Sequence, residues 1–385
     1  MRVLFTSTPG WGHIHPMVGL ARAFLDRGDS VLWVTGADAC ARLEREGFEA
    51  SPAGRGEREG MAEVNRRFPE IQKLPPPERP EFMFHRLFGT VRAAPMLADL
   101  MPTAREWSPT VVVCDAAEFA GPIAAAALGV PNITQSFGAL LPENRVAAAS
   151  TEVASLWTAQ GLEPRPYCGC YDHLYLDIYP PSLQSADRPH VPVTQHLRPE
   201  AFAIGGDEPL PEWVTTAQSD PLVYVTLGTV FRNDAVLTTI VEAVRELGVR
   251  VVVTVGPHGD PDSLGPQPSN VHVARYIPQS QLLPHCSVVV SHAGSGTFLA
   301  ALSAEIPQLC IPQAADQFLN AAACTASGTG LALQPGSVSV EQVRDAVTRL
   351  LSEAAFKNAT ERVSREISAM PSARAVAERL HDDYG

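Results

Sequence analysis

The sequence has 385 residues, seven cysteines and a formal net charge of -13 at pH 7. This length indicates two domains rather than one, and the acidic charge disfavours nucleic acid as the main partner because like charges repel. No apolar run approaches the roughly 20 residues that cross a bilayer, and the amino terminus lacks a secretory pattern, so we expect a cytoplasmic protein that binds no membrane. An odd number of cysteines argues against a disulfide scaffold.

Four short apolar segments alternate with helical patterns in the first part of the chain. These segments are VLFTST, SVLWVTG, TVVVCDA and NITQSFG. Nearly continuous apolar strands separated by helices predict a parallel sheet that is covered on both faces. The helix after the first strand is predicted to begin at Pro16 and to stop at Gly28. Residues 57–109 break the alternation and are predicted to form a loop-and-helix insertion.

A proline-rich stretch at residues 180–221 separates this half from a second alternation of strands and helices. In the second half, Ser339 and Gln342 match a capping box at the start of a helix. The sequence therefore predicts an α/β fold with two doubly wound, Rossmann-like domains. Sheets of this kind bind ligands at the carboxyl ends of their strands, so we expect the two domains to face each other across a cleft.

A glycine-rich turn follows one predicted strand of the second half, in the segment SVVVSHAGSGTF. The strand is predicted to end at Ser291 and the next helix to begin near Thr297, which places a helix amino terminus beside His292. Such a terminus attracts anions, including phosphates. Gly228 and Thr229, at the end of another strand, could supply further donors to a diphosphate. A tight turn that needs glycine only for its geometry explains the segment alone equally well.

Polar residues also follow the neighbouring strands. Asp316 and Gln317 could bond to sugar hydroxyls, although a helix N-cap is the simpler explanation of that pair. Tyr276 could stack on a nucleobase while Gln279 reads its edge, although an ordinary strand-ending turn is the alternative. Several polar strand ends in one domain together favour a binding site.

The segment PGWGHIHP, residues 9–16, joins the first predicted strand to its helix and contains two histidines. A histidine with a pKa near 6.5 accepts a proton readily at neutral pH. His13 and His15 are two residues apart and do not share a helix face, so only one is expected to reach a substrate.

Together, GWGHIHP, YIPQ, HAGSGT and IPQAADQFLNA resemble the nucleotide-sugar-dependent glycosyltransferases of family 1, which have the two-domain type B fold (GT-B). The chain is most similar to bacterial enzymes that attach sugars to antibiotics and other natural products. The resemblance implies an acceptor-binding domain at residues 1–205 and a donor-binding domain at residues 206–360. It also implies that residues 361–385 form a helix that crosses back to the first domain.

The resemblance assigns a donor site. The glycine-rich turn and Thr229 would bind the diphosphate, Asp316 and Gln317 would hold the sugar, and Gln279 would contact the nucleotide. Many relatives have tryptophan at the base-stacking position, where this chain has Tyr276. The expected donor-binding residues are Gly228, Thr229, Tyr276, Ile277, Gln279, His292, Gly294, Ser295, Gly296, Thr297, Asp316 and Gln317.

In the first domain, His13 matches the catalytic base of these enzymes and Asp115 matches the carboxylate that orients it. We therefore expect His13 to deprotonate an acceptor hydroxyl, which attacks the anomeric carbon with inversion as the nucleoside diphosphate leaves. Trp11, Phe82 and Phe137 are expected to line the acceptor cleft.

The resemblance also implies the substrates. They are a nucleoside-diphosphate sugar, with thymidine diphosphate (TDP) favoured over uridine diphosphate (UDP), and a hydrophobic natural-product aglycone. The helix terminus and His292 would stabilise the leaving diphosphate, so no metal and no separate cofactor are expected. The protein is expected to be a monomer or a homodimer.

Three other functions fit parts of the sequence. A carbon-transferring enzyme would use the same dyad to ionise a phenol, whose ring carbon then attacks the sugar. A non-catalytic relative would bind the nucleotide or activate a partner enzyme, although this chain retains His13, Asp115, Asp316 and Gln317. A nucleotide-sugar epimerase of similar architecture would leave the aromatic, proline-rich insertion before Pro109 without a role.

Overall fold

The chain forms two compact units in the computed structural model. The first unit contains residues 1–179, 184–198 and 370–385, and the second contains residues 180–183 and 199–369. The structure describes residues 1–185, 187–200, 210–215, 220–228, 234–256, 259–334 and 336–385.

A parallel sheet lies at the centre of the first unit. Its strands are β1 (Arg2–Thr6), β2 (Ser30–Thr35), β3 (Glu49–Pro52), β4 (Val111–Asp115), β5 (Asn132–Gln135), β6 (Leu174–Asp177) and β7 (Thr194–His196). Among the described residues the spatial order is β3-β2-β1-β4-β5-β6-β7. All five residues of β4 and the last four of β1 are buried, because helices cover both faces of the central strands.

Helices and one π-helical segment surround this sheet. They are α1 (Trp11–Asp26), α2 (Ala37–Arg45), α3 (Glu57–Arg67), α4 (Arg79–Phe84), the π-helical segment His85–Ala93, α5 (Ala94–Trp107), α6 (Ala120–Leu128) and α7 (Glu143–Ala159). The prediction that the first helix begins at Pro16 is wrong. Helix α1 begins at Trp11 with Gly10 as its N-cap, and Pro16 lies inside it, where its missing N–H removes one backbone hydrogen bond.

The second unit contains another parallel sheet. Its strands are β8 (Leu222–Thr226), β9 (Arg250–Thr254), β10 (Val271–Ala274), β11 (Val288–Ser291), β12 (Gln308–Cys310) and β13 (Gly330–Ala332). Within the described residues these strands have the order β10-β9-β8-β11-β12-β13. The helices of this unit are α8 (Glu212–Thr215), α9 (Asp234–Val244), α10 (Gln279–Leu282), α11 (Ser295–Ser303), α12 (Gln317–Ser327), α13 (Val340–Ser352) and α14 (Ala354–Ala369).

Two local predictions can be compared with these helices. The capping box is confirmed, because Ser339 accepts a hydrogen bond from the Gln342 N–H while the Gln342 side chain accepts one from the Ser339 N–H. Helix α11 begins at Ser295 rather than near Thr297, so the whole glycine-rich turn is shorter than predicted. Short 3-10 turns occur at Pro69–Lys73, Pro166–Gly169, Pro181–Leu183, Pro261–Leu264 and Leu283–His285.

The last helix, α15 (Ala373–Tyr384), belongs to the first unit and packs against α1. The Arg198 N–H donates to the Pro371 carbonyl at 2.8 Å, and His381 Nδ1 lies 3.2 Å from Asp29 Oδ1. Residue 361, the expected start of the returning segment, is within α14 of the second unit. The expected boundary between residues 205 and 206 lies outside the described residues.

The described residues contain neither a disulfide bond nor a helix suited to span a membrane. The seven cysteines all lie within the described ranges and are free thiols. In the part of the chain that the structure describes, no helix combines the length and the apolar character required to cross a membrane.

Candidate functional site

Both sheets have a point at which the strand order reverses. In the first unit this point lies between β1 and β4, and in the second it lies between β8 and β11. Successive helices leave opposite faces of the sheet there, which opens a crevice at the carboxyl ends of the two strands. The predicted catalytic residues lie at the first of these points, and several predicted donor residues lie at the second.

His13 and Asp115 come together at the reversal point of the first sheet. His13 lies in the first turn of α1, just after β1, and Asp115 is the last residue of β4. Because β1 and β4 are paired in parallel, their carboxyl ends meet at one edge. His13 Nδ1 lies 2.9 Å from Asp115 Oδ2 and 3.2 Å from Oδ1, which leaves Nε2 as the ring nitrogen that can take a proton.

Asp115 is fully buried, and three hydrogen-bond donors from Thr8 and Ala117 fix its carboxylate. Its Oδ2 accepts from the Thr8 hydroxyl at 3.3 Å and from the Thr8 N–H at 3.4 Å. Its Oδ1 accepts from the Ala117 N–H at 3.2 Å. A buried carboxylate needs such partners, and here they also hold it in place against the imidazole.

The charges around His13 favour its protonated form. Burial lowers the pKa of His13, but the charge and hydrogen bond of Asp115, together with the charge of Glu57, outweigh burial and raise the pKa above 6.5. Arg92 opposes this rise in part. The imidazole is therefore a stronger base than a histidine in water, and the imidazolium that it forms is stabilised.

Aromatic rings flank the imidazole. The ring centroid of Phe137 lies 4.4 Å from that of His13, and the ring centroid of Phe88 lies 5.6 Å from it. Phe88 also contacts Phe84, with ring centroids 5.0 Å apart. Phe137 was predicted to be part of the acceptor site, whereas Phe88 was missed because the sequence gives no reason to prefer it to Phe82.

The other two predicted acceptor residues are not brought to His13. Trp11 packs against His15, with ring centroids 5.2 Å apart, and the Arg42 guanidinium lies 3.8 Å from the Trp11 ring centroid. Trp11 and His13 are two residues apart on one helix and project in different directions. Phe82 contacts the guanidinium of Arg86, whose carbon lies 3.7 Å from the ring centroid.

The second histidine of the opening motif is in a different environment. Burial and, to a smaller extent, the positive charge of Arg42 lower the pKa of His15 to about 4. His15 is therefore neutral at pH 7 and packs as part of the Trp11 face of α1.

In the second unit, His292 occupies a narrow space between two glycines. A Cβ on Gly228 would lie 2.6 Å from His292 Nε2, and a Cβ on Gly294 would lie 2.5 Å from the same atom. Gly228 also has a φ of +77°, a conformation that residues with a Cβ seldom adopt. These two positions therefore need glycine for space, and the imidazole is held at the reversal point of the sheet.

The same histidine has an unused polar atom. His292 Nδ1 is buried and has no hydrogen-bond partner in the described residues. Burial lowers the pKa of His292 to about 4, against the charge of Asp316 and a backbone hydrogen bond with Thr226. A neutral imidazole has a single N–H; in the tautomer that places it on Nδ1, His292 can donate to an anion, as the backbone N–H groups at the amino terminus of α11 can.

Asp316 and Ser295 are bonded to each other. The Ser295 hydroxyl donates to Asp316 Oδ2 at 2.6 Å. Asn320 Nδ2 donates to Ser295 Oγ at 3.0 Å, to Asp316 Oδ2 at 3.3 Å and to the Ala293 carbonyl at 2.9 Å. Asn320 was missed by sequence reasoning, although its position one helical turn after Asp316 was a usable signal.

Gln317 is partly committed to its own loop. Its Oε1 accepts from the Gln313 N–H at 2.7 Å and from the Ala314 N–H at 2.9 Å, and the residue is buried. The structure therefore places the amide oxygen of Gln317 in the turn before α12.

Three other predicted donor residues differ in exposure. Gln279 Nε2 donates to the hydroxyls of Thr297 at 3.1 Å and of Tyr224 at 3.2 Å. Ile277 is buried in the core, whereas Tyr276 is 45% exposed. Thr229 lies outside the described residues.

Comparison with known proteins identifies the family. Residues 81–228 match the N-terminal domain, and residues 238–382 the C-terminal domain, of the family described as erythromycin biosynthesis protein CIII-like. The elloramycin glycosyltransferase ElmGT of Streptomyces olivaceus is 31% identical over 100% of this chain and 98% of its own length. The chain belongs to this glycosyltransferase family.

Solved structures of other glycosyltransferases agree with this assignment. SnogD from Streptomyces nogalater has a TM-score of 0.79 and 30% identity, covering 100% of this chain and 99% of its own. The spinosyn rhamnosyltransferase SpnG, in complex with thymidine diphosphate, has a TM-score of 0.81 and 25% identity, covering 99% of this chain and 100% of its own. The predicted glycosyltransferase resemblance and the predicted GT-B fold of two parallel-sheet α/β domains are thus confirmed. The assignment favours a transferase over an epimerase.

Proposed function

We propose that this glycosyltransferase transfers a sugar, with inversion, from a nucleoside diphosphate to a hydroxyl group of a natural-product aglycone, and that His13 is the base. The observation that supports this most strongly is the His13–Asp115 pair, with Nδ1 2.9 Å from Asp115 Oδ2. This geometry fixes one tautomer and directs the basic nitrogen, Nε2, away from the carboxylate.

The chemical step follows from that geometry. His13 Nε2 takes the proton of the acceptor hydroxyl, and the oxygen attacks the anomeric carbon as the bond from that carbon to the diphosphate breaks. The negative charge of Asp115, fixed by Thr8 and Ala117, stabilises the imidazolium. No covalent sugar–enzyme intermediate is needed, so a single displacement inverts the anomeric configuration.

We assign the donor diphosphate to the His292 site. The Nδ1 of His292, when it carries the ring proton, and the amino terminus of α11 are suited to an anion, and Gly228 and Gly294 leave the space that the imidazole occupies. These donors would meet the charge that develops on the leaving group, which gives the diphosphate a route to stabilisation without a metal. Asp316, held by Ser295 and Asn320, retains Oδ1 for a sugar hydroxyl.

Thymidine diphosphate is the nucleotide that we propose for the donor. SpnG, SsfS6 and VinC are described in complexes with this nucleotide, and they are 25% identical to this chain. Tyr276, which is 45% exposed, would stack on the base.

A hydrophobic, ring-containing aglycone fits the surroundings of His13. Phe88 and Phe137 present two aromatic rings beside the base, and aromatic faces bind flat apolar molecules well. Relatives are named elloramycin glycosyltransferase and aklavinone 7-beta-L-rhodosaminyltransferase, and SpnG has been solved with a spinosyn aglycone.

The test is turnover with a matrix of donors and acceptors. TDP-sugars and UDP-sugars would be incubated with a library of polyketide aglycones, and release of free nucleoside diphosphate would be measured together with product mass. Formation of a glycoside with inverted configuration supports the proposal. Intact donor throughout contradicts it, and a sugar that resists acid hydrolysis would show a carbon link instead of an oxygen link.

A further inference from the structure

An ion pair lies beside His13 at the ring edge opposite to Asp115. Arg92 Nη2 donates to Glu57 Oε2 at 2.6 Å. A Cβ placed on Gly10 would lie 3.3 Å from His13 Cδ2 and 3.5 Å from Glu57 Oε2, so the imidazole and the carboxylate flank the same point. Cδ2 is bonded to Nε2, and these two distances place Glu57 Oε2 within 6.8 Å of Cδ2, on the ring edge that receives the proton.

The pair is held in place from several sides. Glu57 is the first residue of α3, and its N–H donates to Asp38 Oδ2 at 2.8 Å. The Arg92 side chain is only 7% exposed, and a Cβ on Gly60 would lie 2.9 Å from its Nε. The Arg92 guanidinium carbon lies 5.6 Å from the ring centroid of Phe88, which itself flanks His13. Glu57 cannot swing freely into solvent without breaking a nearly buried ion pair.

The charged groups that act on His13 come from three elements. Asp115 lies on β4, Glu57 on α3 and Arg92 on the π-helical segment. The two carboxylates favour the imidazolium and the guanidinium opposes it. Arg55, from the loop before α3, forms an ion pair with Glu59, and this pair has no net charge.

We propose that Glu57 is a positioning residue of the transfer reaction, whose carboxylate, held by Arg92, stabilises the imidazolium that His13 forms when the acceptor hydroxyl gives up its proton. This rests on the proposed role of His13 as the base. Asp115 fixes the tautomer through Nδ1, while Glu57 acts through space on the other ring edge. Arg92 keeps Glu57 in position and also limits how far its charge raises the basicity of the imidazole.

The two members of the pair have opposite effects on His13, which separates this role from a structural one. Glu57→Gln and Arg92→Gln break the same ion pair. Removal of the carboxylate should lower the pKa of His13, whereas removal of the guanidinium should raise it. Since Glu57 is partly exposed, we expect a shift of about half a pH unit in each direction.

The experiment is an NMR titration of the full-length chain with labelled histidine, in which His13→Asn identifies the His13 signals. The pKa of His13 is measured in the wild type, Glu57→Gln and Arg92→Gln, with Glu57→Asp and Arg92→Lys as charge-preserving controls. The acid limb of kcat/KM should move with the NMR value. Opposite shifts in the two glutamine variants, with little change in the controls, support the proposal.

Two results would overturn it: a rise in the pKa of His13 in Glu57→Gln, or no shift in that variant. A fall in both glutamine variants would support it, because loss of Arg92 then releases Glu57 from the imidazole. If Arg92→Gln does not fold, the comparison of Glu57→Gln with Glu57→Asp decides. Only Glu57→Gln should lower the pKa of His13, because Glu57→Asp keeps the carboxylate. The NMR measurement needs no substrate. Lack of turnover with every donor and acceptor would therefore contradict the proposed function, while the titration would still decide the role of Glu57.

Discussion

Gly228 lies so close to His292 that a Cβ on the glycine would be 2.6 Å from the imidazole Nε2. His292 is thereby fixed between the end of β8 and the start of α11, with its buried Nδ1 unpartnered among the described residues. A residue larger than glycine must displace the imidazole, because the atom that its Cβ would meet, His292 Nε2, belongs to a buried ring rather than to a flexible side chain.

We therefore expect Gly228→Ala to raise the KM for the nucleotide sugar about tenfold or more. The matched control is Gly248→Ala in the same unit, where φ is also positive, at +67°, and nothing lies within 4 Å of the added Cβ. Both variants carry a backbone strain of about 1 kcal/mol, but only the first moves His292. Equal donor KM values in the two variants would show that the position of His292 is irrelevant to donor binding.

Asn320 is expected to support the donor site through Asp316. Replacement by alanine removes the hydrogen bonds to Ser295, Asp316 and the Ala293 carbonyl, and should raise the donor KM severalfold. Thermal unfolding should show a loss of about 1–3 kcal/mol.

Asn270→Ala is the control for this change. Asn270 likewise makes several side-chain hydrogen bonds, to the backbone carbonyls of Arg245 and Val249, but it lies at the amino-terminal end of β10. It should lower stability without changing the donor KM. If Asn320→Ala affects only stability, Asn320 has no part in donor binding.

Phe88 is expected to contribute to acceptor binding and Phe82 is not. Phe88 lies 5.6 Å from His13 between ring centroids, whereas Phe82 is stacked with Arg86. Phe88→Ala should lower kcat/KM for an aromatic acceptor about tenfold, because it removes apolar contact area. Phe82→Ala should stay within about twofold in the same assay. A larger loss of kcat/KM in Phe82→Ala would support the prediction that Phe82 lines the acceptor cleft.

The position of Phe88 beside His13 could not be read from the sequence, for a physical reason. Residues His85–Ala93 form a π-helical segment, which has more residues per turn than an α-helix. Helical periodicity read from the sequence therefore gives the wrong faces beyond Phe84. The start of α1 was misplaced for a different reason. Pro16 was taken for a first-turn residue, but the structure accommodates it inside the helix.

Other features were predictable because local chemistry decides them. The buried strands β1, β4, β8 and β11 are together rich in valine, and their carboxyl ends place His13, Asp115, Gly228 and His292. The short strands β3, β6, β7 and β13 were not predicted. Their sequences EASP, LYLD, TQH and GLA have little apolar alternation, and pairing with a neighbouring strand rather than propensity makes them strands.

Asp29 is expected to stabilise the first unit in a pH-dependent way. It accepts from the amino terminus at 2.6 Å and lies 3.2 Å from His381 on α15. Burial raises the pKa of Asp29, but the hydrogen bonds and charges of the amino terminus and of His381 outweigh it and hold the pKa below its ordinary range.

A lowered carboxyl pKa stabilises the fold above the ordinary value of about 4, and this contribution disappears as the pH falls through the lowered value. Asp29→Asn should therefore lower the free energy of unfolding by about 1–3 kcal/mol at pH 7 and much less near pH 2. The exposed Asp26→Asn serves as the control in denaturant titrations. A loss for Asp29→Asn that is the same at both pH values would rule out its charge as the cause.

The most direct test of the central claim compares His13→Ala with His15→Ala. Both histidines lie on α1, but only His13 contacts Asp115. Turnover would be measured with a competent donor and acceptor, and donor affinity by calorimetry. We predict that His13→Ala lowers kcat about 10²–10⁴-fold with donor affinity nearly unchanged, and that His15→Ala retains most of its activity. Wild-type turnover in His13→Ala would contradict the assignment of His13 as the base.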